Sequence, residues 1–161
     1  MFTLPKATGI LPPDLAIALF GKGASPRVLV ADDDPLTAQL LTSIGEREGY
    51  QVVSVDDGRE AYRMLKTNAD FAAAVFNMTM PNLNGVDLVR FMKTEKRLMR
   101  IPVVIVAGDD GLKLIANSFA AGAIAFLSKP FKTEKLALIV RLAISQATRK
   151  QTSERVRKVA A

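Results

Sequence analysis

From residue 27 onward, short apolar runs alternate with longer segments in which apolar residues recur every three or four positions. The runs are rich in β-branched residues or bounded by turn residues, which is typical of buried parallel strands. Each longer segment can cover a sheet with one apolar stripe. We predict five strands, at 27–31, 51–55, 71–76, 102–106 and 123–127. Helices are predicted at 35–48, 58–66, 85–94, 111–121, and from Lys132 or Thr133 through 135–145 into the C-terminal residues.

This alternation predicts an α/β fold with a doubly wound parallel sheet and helices on both faces, because right-handed crossovers place successive helices there. In such folds, sites form at the carboxyl ends of the strands. The residues expected to face the sheet from the first four helices are Leu40, Leu41 and Ile44; Ala61, Met64 and Leu65; Val86, Leu88, Val89 and Met92; and Leu114, Ile115 and Phe119.

The first 26 residues contain four prolines and three glycines, which interrupt any long element, so we interpret 1–26 as an N-terminal arm. Its apolar stretch at 15–20 follows Pro13 and Asp14 and stops at Gly21, which fits one short helix. That stretch is too short for a signal peptide and lacks a basic preceding segment, so we expect a cytoplasmic protein without a membrane span.

The composition excludes several classes of chemistry for this protein. With 161 residues, 49% of them hydrophobic, the chain is long enough for one core and too short for two ordinary domains. It contains no cysteine and no histidine, which excludes disulfides, thiolate metal sites and histidine-dependent hydrolase chemistry. The net charge of +6 is local: residues 1–140 carry 16 lysines and arginines against 15 acids, whereas 141–161 carry six against one.

Polar residues follow the predicted strands at the edge where a site is expected. Asp32, Asp33 and Asp34 follow the first strand, and Lys129 follows the fifth. Three carboxylates beside an ammonium group suggest a site for a hard cation. For Asp34, which precedes Pro35, we favour the alternative of a helix N-cap.

Four segments in this order and spacing resemble the response-regulator receiver domain of two-component signalling: VLVADDDP, FNMTMPNLNG, IPVVIVAG and GAIAFLSKPF. The resemblance covers about 27–145, which we take as the receiver domain, and leaves 146–161 as a basic, helical C-terminal extension. It implies the flavodoxin-like (βα)5 fold with strand order 2-1-3-4-5.

In that family an aspartate after the third strand accepts a phosphoryl group from a histidine kinase, with Mg²⁺ held beside it. The resemblance places that acceptor at Asn77, the acidic pair at Asp32 and Asp33, and the metal-binding carbonyl at Thr79. It places the family's lysine at Lys129. The two switch positions, a hydroxyl residue after the fourth strand and an aromatic residue in the fifth, fall on Ala107 and Phe126.

Two groups that the family's chemistry needs are therefore replaced. A neutral amide is a poor nucleophile for phosphorus, so we expect Asn77 to remain unphosphorylated. Ala107 has no hydroxyl with which to contact a phosphoryl group, so the ligand-driven population shift loses its differential contact. We expect weak Mg²⁺ binding at most and no required cofactor, since a ligand charge is lost. The amide of Asn77 can instead pair with Asp32 or Asp33.

Without phosphorylation, output must come from surfaces. The resemblance suggests the fourth helix, fifth strand and fifth helix, which such proteins use for dimers and partners. Residues 136–144 are apolar except for Arg141, which is broader than one sheet-facing stripe. Either another protein, such as a second copy, covers the excess, or the N-terminal arm docks back on it.

The basic tail has three interpretations. We favour a solvated helical end, whose cations complement the helix dipole. Alternatively, it binds cyclic di-GMP, as the arginine-rich tails of receiver-like proteins that it resembles do. Nucleic-acid binding is disfavoured, because the tail has no aromatic residue. The residues concerned are Arg149, Lys150, Arg155, Arg157 and Lys158.

The sequence thus predicts a stand-alone pseudo-receiver that is not an enzyme and acts by phosphorylation-independent protein contacts. Its expected partners are a histidine kinase, a phosphotransfer protein or a downstream effector. The retained Asp32, Asp33 and Lys129 keep open a conventional phospho-accepting regulator, and the tail keeps open a cyclic-dinucleotide-responsive adaptor.

Overall fold

A computed structural model describes residues 25–108 and 111–160, with the side chains of 148–152 and 155 outside the description. Five strands and five helices alternate along it. The strands are β1 (Arg27–Ala31), β2 (Gln51–Val55), β3 (Ala73–Asn77), β4 (Val103–Ala107) and β5 (Ala125–Ser128). The helices are α1 (Pro35–Glu48), α2 (Gly58–Thr67), α3 (Gly85–Thr94), α4 (Leu112–Ala121) and α5 (Thr133–Ala160).

The strands form one parallel sheet in the order β2-β1-β3-β4-β5, which is the predicted flavodoxin-like arrangement. Alternate residues of the strands point to opposite faces. Leu29 and Phe76 belong to the core beneath α2, α3 and α4, whereas Val30 and Val75 belong to the core beneath α1 and α5. The central strands β3 and β4 are buried at every position, so both faces are covered.

Three strands differ from the predicted ranges. β3 and β4 begin and end one or two residues later than the apolar runs, and β5 begins two later and ends one later. Phe71 is buried, but its N–H bonds to the carbonyl of Ala69 in a turn instead of a strand. The apolar runs report burial, whereas the strand bounds follow the hydrogen-bonded register.

Helix α4 corrects a second expectation. Phe119, predicted to face the sheet, is 46% exposed, while Ser118 is fully buried. The Ser118 hydroxyl donates to the carbonyl of Leu114 at 2.9 Å, so this small polar side chain is buried with its hydrogen bond satisfied. Leu114 packs against the core as predicted, so the buried side of α4 contains Leu114 and Ser118 and is rotated away from Phe119.

Helix α5 is continuous over 28 residues and includes the basic C-terminal segment. Leu136 and Val140 are fully buried against the sheet, while Leu138 and Leu142 are 50% and 59% exposed. Near its end, Glu154 forms an ion pair at 3.3 Å with Arg100, which precedes β4. None of the described helices combines the length and apolarity that crossing a bilayer requires. The predicted arm lies outside the described residues except for 25 and 26.

Candidate functional site

The carboxyl ends of β1 and β3 bring Asp32, Asp33 and Asn77 together. The Nδ2 of Asn77 donates to Oδ1 of Asp32 at 2.9 Å and to Oδ1 of Asp33 at 3.2 Å. Because both partners are carboxylate oxygens, the amide must present its NH₂ group and not its carbonyl oxygen. One neutral side chain thus separates two acids that would otherwise face each other.

Lys129 closes the other side of this group. It follows β5, and its Nζ lies 2.9 Å from Oδ2 of Asp32. The side chain of Asp32 is completely buried, whereas that of Lys129 is 22% exposed. A buried carboxylate needs such a partner, because an isolated charge in the interior costs several kcal/mol, on the order of 3 or more. The ammonium group therefore neutralises the one deeply buried charge of the pocket.

Backbone hydrogen bonds hold together the strand ends that carry these side chains. The N–H of Met78 donates to the carbonyl of Val106, and the N–H of Lys129 donates to the carbonyl of Ala107, so the ends of β3, β4 and β5 are joined. The start of α3 lies tightly against this edge: a Cβ on Gly85 would be 2.5 Å from the carbonyl oxygen of Asn77. Only glycine allows so close an approach of helix and strand.

Asp34 has the capping role favoured from the sequence. Its carboxylate accepts a hydrogen bond from the N–H of Leu36 at 3.0 Å at the first turn of α1. Its own N–H donates to Oδ1 of Asp32 at 2.9 Å. Of the three consecutive aspartates, Asp34 thus serves the helix, Asp32 is the buried centre of the pocket, and Asp33 is exposed at its rim.

These residues do not fit a resident divalent cation. Both oxygens of Asp32 already accept hydrogen bonds, from the Asn77 amide, the Asp34 N–H and Lys129. The amide also engages Oδ1 of Asp33. Among the described residues, no group of three acidic, cysteine or histidine side chains could hold a metal ion. The pocket is instead held together by hydrogen bonds and one ion pair, which engage the carboxylate oxygens that a cation would need.

The other predicted positions do not join this network. Thr79 is exposed and lines a groove of about 550 Å³ together with Met78, Asn84 and Asn117. The methyl group of Ala107 is buried and has no hydrogen-bonding capacity. Phe126 is half-buried and packs against the core on the side of α2, α3 and α4. Lys129 and Pro130 are joined by a cis peptide bond.

The basic tail lies on the last turns of α5. Arg157 and Lys158 are exposed there. Arg149, Lys150 and Arg155 occupy helical positions, and their side chains fall outside the description. The cyclic-dinucleotide interpretation of these five residues therefore stays a prediction.

Sequence reasoning missed an ion pair that joins α1 to α5, between buried Glu48 and exposed Arg141. Glu48 is 5% exposed, and one of its carboxylate oxygens bonds to the guanidinium group of Arg141, while its Oε2 has no partner among the described residues. The hydroxyl of Tyr50 nearby is also buried without a partner among them. Burial, followed by the charge of Glu48, raises the pKa of Tyr50. The sequence does not indicate this pairing, because Glu48 and Arg141 are 93 positions apart.

The strand order, the two-layered core and the acidic pocket at the carboxyl edge define a receiver-type signalling fold. The model of the family described as "Response regulator receiver domain" matches residues 28–141. The chain therefore belongs to the response-regulator receiver family. Receiver domains are signalling modules of two-component systems that interact with histidine kinases and effectors, and they are generally not enzymes.

Individual relatives agree with this assignment. Chemotaxis protein CheY1 of Helicobacter pylori is 29% identical over 111 residues, which cover 68% of this chain and 90% of CheY1. The receiver domain of the Francisella response regulator 1452 is 30% identical, with a TM-score of 0.67 over 75% of this chain and 98% of that domain. The receiver domain of the sensor histidine kinase PA1611 from Pseudomonas aeruginosa is 25% identical, with a TM-score of 0.66, covering 75% of this chain and 98% of that domain. It was crystallised with a magnesium ion coordinated in its active-site cleft.

Proposed function

We propose that this chain is a pseudo-receiver: a receiver domain of a two-component pathway that signals in the cytoplasm by protein contacts and not by accepting a phosphoryl group. The observation that carries the proposal is the position of Asn77, whose amide donates to both Asp32 and Asp33. The expected phosphoacceptor position thus holds a hydrogen-bond donor facing inward.

The chemistry of the amide supports this proposal. Phosphoryl transfer to a side chain requires a nucleophilic oxygen that attacks phosphorus in line with the leaving group. The lone pair of an amide nitrogen is delocalised into the carbonyl, and here both N–H bonds are committed to carboxylates. Attack through the nitrogen would require breaking two charge-assisted hydrogen bonds, and attack through the neutral amide oxygen would give a product that lacks the stability of an acyl phosphate.

Ala107 supports the proposal independently. It ends β4 beside Asn77, and its buried methyl group offers no donor to a phosphoryl oxygen. A conformational equilibrium shifts only if the ligand contacts its two states differently. A receiver without this hydroxyl loses one such contact, so even a phosphorylated form would be poorly coupled to the output surface.

We assign output to the surface formed by α4, β5 and α5, through which partners or a second copy would bind. Large apolar side chains on its two helices are 46% to 86% exposed, and they include Leu112, Phe119 and Leu142. Exposed apolar side chains that lie on adjacent elements are a common feature of protein-binding surfaces. The partner would be a histidine kinase, a phosphotransfer protein or a downstream effector.

Intact-mass spectrometry after incubation with acetyl phosphate and Mg²⁺ tests the central claim. We expect no adduct on the native chain. The matched variant N77D/A107T, which restores the acceptor carboxylate and the hydroxyl, should gain the mass of one phosphoryl group. An adduct on the native chain would overturn the proposal and favour the conventional phospho-accepting regulator.

A further inference from the structure

Helix α2 carries an exposed row of cations at residues 59, 63 and 66. Arg59, Arg63 and Lys66 stand at i, i+4 and i+7, so they share one side of the helix. None of the three forms an ion pair with a carboxylate among the described residues. Tyr62 lies between them, and the ammonium group of Lys66 is 5.3 Å from the centroid of its ring. This side of α2 thus combines unneutralised positive charge with an aromatic surface.

The same side chains line a groove of about 500 Å³ against the loop that follows β3. Asn82 and Leu83 form its opposite wall, and Asn82 has the left-handed backbone φ of 71°. The loop lies directly against α2, because a Cβ on Gly58 would be only 1.8 Å from the carbonyl oxygen of Leu83. The groove is therefore a fixed feature of packed backbone.

The floor of the groove is apolar, and the side chains that form it pack against the core. The ring of Tyr62 packs against Phe91 of α3, with centroids 4.6 Å apart and the planes tilted by 52°. Leu83 packs against the same core cluster. The cationic groups stand at the rim, and the apolar surface lies between them. An occupant that satisfies both parts needs negative charge together with an apolar side chain.

The two terminal segments of this chain have the wrong charge for this groove. Residues 1–24 contain Lys6 and Lys22 against Asp14, and the tail from 148 onward contains five cations against Glu154. A nucleic acid would be attracted by the charge, but a single half-buried ring is a poor platform for successive stacked bases. A peptide segment of a separate protein, rich in acidic residues around one apolar anchor, matches the cationic rim and the apolar floor.

We propose that the groove between α2 and the β3–α3 loop binds such an acidic peptide segment of a partner protein. The inference rests on the proposed function, since it names a surface through which a receiver without phosphorylation could be addressed. Its wall is part of residues 78–84, the segment that directly follows Asn77. A bound peptide would therefore contact the loop that links the degenerate pocket to α3.

Selection from a display library of random peptides on the full chain tests the proposal directly, because the library samples many combinations of charge and apolar residues. We expect the enriched peptides to be acidic and to contain an aromatic or large aliphatic residue. Their affinity should fall at least about tenfold for the variant R59E/R63E, since two favourable charge contacts become unfavourable. The matched control K113E/K132E carries the same change in net charge at exposed positions on other elements and should bind as the native chain does.

Several results would overturn the proposal. Enriched peptides without acidic character, or acidic peptides that bind R59E/R63E as well as the native chain, would place the binding elsewhere. A single-stranded oligonucleotide that binds through Arg59 and Arg63 while no peptide does would make the occupant a nucleic acid. Loss of a dimer on ultracentrifugation of R59E/R63E would make it a second copy. These results are separable from the mass measurement, because phosphorylation of the native chain would refute the pseudo-receiver without affecting peptide binding.

Discussion

Replacing Asn77 by aspartate should convert the centre of the pocket from a bonded cluster into a repulsive one. The Asn77 Nδ2 lies 2.9 Å from Oδ1 of Asp32 and 3.2 Å from Oδ1 of Asp33. In N77D, a carboxylate oxygen would take its place. Two unit charges at this separation repel by about 5 kcal/mol at an effective dielectric constant of about 20. The hydrogen bonds lost in the exchange add to the cost.

Protonation sets an upper bound on this repulsion. Keeping one aspartate of ordinary pKa, about 3.9, protonated at pH 7 costs about 4 kcal/mol, so the variant would take up a proton before it incurred a larger penalty. We therefore expect N77D to lose about 3–4 kcal/mol of unfolding free energy at pH 7 in EDTA. The loss should shrink by about 1.4 kcal/mol for each pH unit below 7, because protonation becomes less costly.

A divalent cation should stabilise N77D more than it stabilises the native chain. In N77D, three carboxylates form an oxygen-rich site, and Mg²⁺ at about 100 times its Kd would restore about 2.7 kcal/mol. The native chain should gain much less, because its amide supplies no charge. Urea denaturation of both proteins, in EDTA and in saturating Mg²⁺, measures this, with N117D as the control for a charge added at an exposed asparagine. If N77D were as stable as the native chain in EDTA, or if its loss were independent of pH and Mg²⁺, the reasoning would be refuted.

Two further substitutions test buried polar groups: the carboxylate of Asp32 and the hydroxyl of Tyr50. K129M leaves the fully buried carboxylate of Asp32 without its cation and should cost about 3 kcal/mol of unfolding free energy, against less than about 0.5 for K132M at an exposed site; equal losses in urea would show that Asp32 does not depend on Lys129. Y50F removes a buried hydroxyl without a partner among the described residues and should leave stability at pH 7 unchanged or raise it by about 1 kcal/mol. Because burial raises the pKa of Tyr50, the folded state keeps a proton that the unfolded state loses above about pH 10. The free energy of unfolding should therefore fall above that pH, and it should fall less steeply in Y50F. If it fell equally in the two proteins above pH 10, a raised pKa of Tyr50 would be contradicted.

The sequence predicted those parts of the fold that depend on apolar periodicity and local chemistry. The bounds of β1, β2, α1 and α3 agree with the predicted ranges, because caps and turn residues such as Asp34 and Gly49 mark their ends. Apolar runs extended the predicted β3 too early, because Phe71 and Ala72 are buried but precede the first residue of the paired register, Ala73. Burial and pairing are different properties, and only burial is visible in hydropathy.

The site was predictable as a set of positions but not as a network. The carboxyl-end rule and the family resemblance placed Asp32, Asp33, Asn77 and Lys129 at one edge, where the structure also has them. Which atoms pair could not be read from the sequence, because an amide can present either its oxygen or its NH₂ group to a neighbour. The same limit hid the pairing of Glu48 with Arg141, residues that are 93 positions apart.

Helix α5 is continuous from the pocket edge to its far end, so a bend along the helix would displace that end. With 28 residues at about 1.5 Å each, the helix is about 42 Å long, and its first turn stands three residues after Pro130 at the pocket edge. Among the described side chains, buried residues on α5 extend as far as Ala147, so a bend of about 5° beyond that residue would act over about 20 Å and displace the far end by about 2 Å. Among the described side chains near that end, Arg100 and Glu154 form an exposed ion pair, which is worth at most about 1 kcal/mol. Rearrangements beside the pocket could therefore move the far end of α5 only by shifting its buried first half, whereas raising the ionic strength would weaken the Arg100–Glu154 pair on its own.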